Sequence, residues 1–163
     1  MEIYRSISPE SDDVSLALND LASAEAANRD YDAAERDLRE GLRISRKNNN
    51  QEHVATRLGN LAELALAREQ WAEAESLARE ALALAEKVGR QELIATDCHR
   101  LAKALLEQNL AKPSALSVVE ALKEALSLSR RAVEIFTRLR HPNLQSAQET
   151  LAEIEKARMN DEG

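Results

Sequence analysis

The chain has 163 residues, a formal net charge of -7, 2% aromatic residues and four glycines. That length supports one domain with a continuous core, and the shortage of aromatic residues and glycine beside abundant Ala, Leu, Glu and Arg excludes a β fold in favour of packed helices. The negative balance argues against nucleic acid and anionic membrane as partners, because both need a basic footprint.

The single cysteine, Cys98, rules out an internal disulfide framework. The start, Met1 to Ser6, has no basic region followed by an apolar run, and no stretch approaches membrane-spanning length. These features lead us to expect a soluble, cytoplasmic protein.

Hydrophobic spacing predicts a first helix from Pro9 or Asp12 to Asn28, with Val14, Leu18, Leu21, Ala22 and Glu25 on its half-buried side and Ser8-Pro9 at its start. A second spans Tyr31 to Lys47 and stops at Asn48, Asn49 and Asn50, residues that tolerate the left-handed conformation of a helix end. A third covers Glu52 to Arg68 and a fourth Trp71 to Lys87, closed by Gly89. Short linkers make successive helices antiparallel neighbours. The fifth begins near Glu92. The sixth starts at 114 to 117, at Pro113-Ser114 or at the capping box formed by Ser117 and Glu120, and runs to about Leu139. A last helix follows His141-Pro142, with Leu144, Ala147, Leu151, Ala152 and Ile154 available to cover the end of a stack.

Helix pairs repeat at forty residues: Gln51 to Thr56 returns as Gln91 to Thr96, and Leu21-Ala22, Leu61-Ala62 and Leu101-Ala102 stand at the same interval. The third pair departs from this rule. Ala74, Ala81 and Leu84 correspond to Ala125, Ala132 and Ile135, a spacing of 51, so eleven residues are inserted near 111 to 121. The expected organisation is one all-α array: repeat 1 at about 12–48, repeat 2 at 52–88, repeat 3 at 92–139 and a capping helix at 142–158.

Tyr31-Asp-Ala-Ala34 with Gly41-Leu42-Arg43-Ile44, and Trp71-Ala-Glu-Ala74 with Ala81-Leu82-Ala83-Leu84, resemble the second helix of tetratricopeptide repeats, and Leu61-Ala62 resembles the first. The forty-residue period is similar to the longer variety in kinesin light chains, MalT-type regulators and Rap-type peptide sensors. The resemblance implies a right-handed α-α superhelix of three helix pairs plus the capping helix, working as a protein-binding scaffold. It also leaves open a sensor or oligomerisation segment of a larger signalling regulator, or a structural homo-oligomer.

In such an array the first helix of each pair lines a concave groove. The inward positions include Asn19, Asp20 and Ser23; Thr56, Gly59, Asn60 and Glu63; Thr96, His99, Arg100 and Lys103; and Ser146, Glu149, Thr150 and Glu153. The two-carboxylate clamp of chaperone-binding relatives is matched only at Asn60 and Arg100, with Asn19, Ser23 and Thr96 at its other positions. The expected ligand is therefore an acidic or carboxylate-bearing protein segment received by His99, Arg100 and Lys103, with Asn19, Asn60 and Glu63 completing the groove. The insertion supplies a candidate association surface of Leu116, Val118, Val119 and Leu122.

Chemistry is not expected. Cys98 and His99 are adjacent on a helix and point apart, and the three histidines lack metal-ligand spacing. There is no glycine-rich phosphate loop and no serine elbow. The reading is a non-enzyme without cofactor or metal.

Overall fold

A computed structural model describes residues 10–111 and 118–161. The described residues form helices α1 (Asp12–Ala27), α2 (Tyr31–Lys47), α3 (Gln51–Ala67), α4 (Trp71–Val88), α5 (Gln91–Ala111), α6 (Val118–Leu139) and α7 (Leu144–Asp161). No strand occurs among them.

Each helix starts and stops for a local reason. Ser11, Asp30 and Asn50 cap α1, α2 and α3 by accepting from the backbone N–H of Val14, Ala33 and His53. The expected start at Ser8-Pro9 lies outside the described residues, and Ser11 does the capping. The turns repeat as the sequence does. Arg29 and Glu69, forty apart, have φ of 62° and 58°, and Asn49 and Gly89 follow with 56° and 78°. At three of these turns the amide three residues past the helix reaches five residues back: Asp30 to Glu25, Asn50 to Ser45 and Gln70 to Ala65. The same bond recurs from His141 to Phe136.

Small residues set the helix crossings. Ala22, Ala62 and Ala102 on one helix of each pair, and Ala34, Ala74 and Ala125 on the other, are at most 1% exposed. A larger side chain at any of them would overpack the crossing by roughly 1–3 kcal/mol. Cys98 stands where Leu18 and Leu58 stand and is equally buried, and burial pushes its thiol up to about 11. It is a core residue.

Helix α3 packs directly on α5, and α5 on α7, whereas the second helices of neighbouring pairs are joined mainly by side chains. Arg39 pairs with Glu73 and Arg46 with Glu80 across α2 and α4. Across α4 and α6 the equivalent pairs are Arg79 with Glu124 and, with the charges exchanged, Glu86 with Arg131. The partners on α6 lie eleven residues further along the chain than forty-residue spacing would place them, so this ladder re-forms beyond the insertion.

Three expectations about apolar positions change. Leu21 is 38% exposed although its repeat equivalents Leu61 and Leu101 are buried. On α7, Ala147, Thr150 and Ile154 are buried while Ala152 is exposed, so Thr150 belongs to the packed side and not to the groove. Leu122 is no part of an exposed strip. It is 3% exposed within the main core, since seven extra residues are close to two helical turns and leave it on the buried face, as Trp71 is on α4. Leu116 and the side chain of Val118 lie outside the described residues. Val119 is exposed, and so is Leu110 on α5.

Candidate functional site

The residues expected to line the groove meet on α1, α3 and α5. Asn60 Nδ2 donates to Asn19 Oδ1 at 2.7 Å, and Arg100 Nη2 donates to Asn60 Oδ1 at 3.1 Å, forming one chain across three helices. Arg100 also donates from Nε to Glu63 Oε2 and from Nη1 to Asp97 Oδ1, each at 3.1 Å. Its side chain is 13% exposed.

Asp97 is the residue that sequence reasoning missed. It is 1% exposed, and burial pushes its carboxyl up to about 6 even though the Arg100 guanidinium pulls the other way. Gly59 makes room for this junction. A Cβ there would stand 2.5 Å from Arg100 Nη1 and 2.6 Å from Asp97 Oδ1. The signal available in the sequence was the pairing itself: glycine faces an aspartate and arginine one helical turn apart on the helix that packs against it.

The basic cluster is thus smaller than its sequence suggests. Arg100 already serves two carboxylates. His99 is half-buried, and burial holds its imidazole below the ordinary value, with Lys103 and Arg100 adding to the effect against Glu63. Lys103, half-buried on the same face, has no ion pair among the described residues.

A second polar junction sits behind α1. Arg57 is 1% exposed and donates to the Ser15 carbonyl at 2.8 Å, while the Ser15 hydroxyl bonds Ser45 and the Gly41 carbonyl. Burial lowers the Arg57 pKa. These groups tie α1, α2 and α3 together and offer nothing to a ligand.

Among the described residues no helix is long and apolar enough to cross a membrane, and no group of three His, Cys, Asp or Glu side chains could hold a metal ion. No curated protein matches the chain. Residues 13–87, covering α1 to α4, match the family model described as Tetratricopeptide repeat. Repeats of this family generally mediate protein–protein interaction. The match over α1 to α4, together with the repeated helix pairs, supports a protein of the tetratricopeptide-repeat type.

Proposed function

We propose that the protein is an interaction scaffold that receives a segment of a partner protein along the face of α1, α3 and α5. The observation that carries this reading is the polar row Asn19, Asn60, Arg100, hydrogen-bonded across α1, α3 and α5, together with the direct packing of α3 on α5 and of α5 on α7. Closer spacing on one side bends a stack toward that side, so a concave groove falls on this face. Lys103 is the cation placed to receive a carboxylate of the segment. Arg100 joins it only where the incoming carboxylate displaces Glu63.

A pull-down from source lysate tests the reading. Lys103→Glu/Thr96→Glu is expected to lose the partner that wild type captures, and Lys87→Glu, exposed on α4, is expected to keep it. Retention by the groove variant moves the site elsewhere. Arg100 is unsuitable for this experiment because it holds a buried carboxylate.

A second reading has its own observation. Leu110 and Val119 are 61% and 43% exposed on neighbouring helices, an apolar pair fit for self-association through the extended third repeat. Leu110→Asp/Val119→Asp then lowers the solution mass by sedimentation. A wild type that is monomeric at high concentration removes this reading.

A further inference from the structure

A cavity of about 290 Å³ opens between α1, α2 and α3. Ala22 and Ala26 of α1, Tyr31 and Leu38 of α2, and Leu64 and Ala67 of α3 form its walls, and Glu63 stands at its rim. Most lining positions differ between the repeats, and one of these differences opens space on α1. Ala26 occupies the position that Leu66 holds forty residues later, and Leu66 packs in a closed cluster with Ala65, Ala74, Ala104 and Trp71. Repeat 2 fills with its leucine the space that repeat 1 leaves open.

Size and charge specify the occupant. The volume falls just below the ~300–1,000 Å³ of sites that enclose a whole small molecule, so the space suits a single large side chain. Glu63 is the only ionisable wall residue besides the Tyr31 phenol, and its side chain is 59% exposed with Arg100 on one oxygen. That guanidinium is shared with Asp97, and no ion pair among the described residues uses the second oxygen of Glu63. Arg68, which lies over the Tyr31 ring, is already paired with Asp32 and Glu35. A cation beside the cavity can therefore pair with Glu63.

We propose that this cavity is the anchor site of the groove: it takes one bulky apolar side chain of a partner segment, and a lysine or arginine next to that side chain pairs with Glu63. The proposal rests on the reading of this face as the binding surface and adds what the surface selects.

Fluorescence anisotropy with three short labelled peptides tests it: one phenylalanine flanked by lysines, the same peptide with serine for phenylalanine, and the phenylalanine peptide flanked by glutamates. Wild type is expected to bind the first at least about tenfold more tightly than either control, since burying an aromatic side chain and pairing one charge each contribute on that scale. Ala26→Leu, which gives repeat 1 the residue of repeat 2, should weaken that binding about tenfold with helicity and Tm unchanged or raised. Glu63→Gln should weaken it less and reduce its salt dependence. If Ala26→Leu does not fold, Ala67→Phe on the exposed opposite wall fills the same space. Equal binding of the lysine and glutamate peptides, no preference for phenylalanine, or full binding by the filled variants overturns the proposal. A natural partner lost by Lys103→Glu/Thr96→Glu yet indifferent to Ala26→Leu would leave the groove reading standing and remove the anchor site alone.

Discussion

Arg100→Ala is expected to destabilise the protein by about 3–5 kcal/mol at pH 8, because it leaves the Asp97 carboxylate buried and without its cation. The cost should shrink at pH 5. Burial already raises the Asp97 carboxyl to about 6, and without Arg100 it rises further, so in mild acid the group is neutral and needs no partner. The sign for the wild type follows from the same shift. An unfolded aspartate releases its proton near ~3.9. Between that value and about 6 the folded protein keeps a proton that the unfolded chain has lost, so this group's contribution is most favourable below both values and declines as pH rises through them. Asp97→Asn keeps an acceptor for Arg100 and removes that slope, raising stability at pH 8 by roughly 1–3 kcal/mol while changing little at pH 4. Denaturant titrations of the single and double variants at both pH values check this. An Arg100→Ala penalty of the same size at pH 5 and pH 8 would sink it.

Phe136→Ala is expected to cost about 3–5 kcal/mol, with a fall in Tm on the order of 10 °C. Phe136 is fully buried, shares the main core with Ala147 and Ile154 of α7, and stacks on His141 with ring centroids 4.6 Å apart. At the equivalent positions of the first two repeats stand Ser45 and Ala85, both fully buried. The aromatic ring is thus particular to the third pair, where it shares a core with residues of α7. Phe136→Leu, which keeps most of the volume, should cost about 1 kcal/mol. Thermal melts of the two variants separate a packing role from a surface one: two equal, small shifts would show that α7 does not depend on this contact.

Much of the architecture was legible in the chain because it is written in local, repeated terms. Forty-residue identities placed the helix pairs, Ala22, Ala62 and Ala102 marked the crossings, and Asn49 and Gly89 marked where two helices end. Such features depend on spacing along one helix or on the backbone of one turn. The candidate site was legible only in its membership. Asn19, Asn60, Glu63 and Arg100 do come together, as their periodic positions require.

What the sequence by itself determined is the helical repeat, its register and the face on which polar residues gather, because helical periodicity and turn chemistry act within a few residues of the chain. Only the tertiary structure decided that Arg100 is spent on Asp97 and Glu63, that Leu122 turns into the core while Val119 stays outside, and that Ala26 opens a cavity where Leu66 closes one. Each of these depends on the distance between side chains on different helices. A missing isopropyl group or a facing glycine changes that distance without altering the pattern that makes the helices.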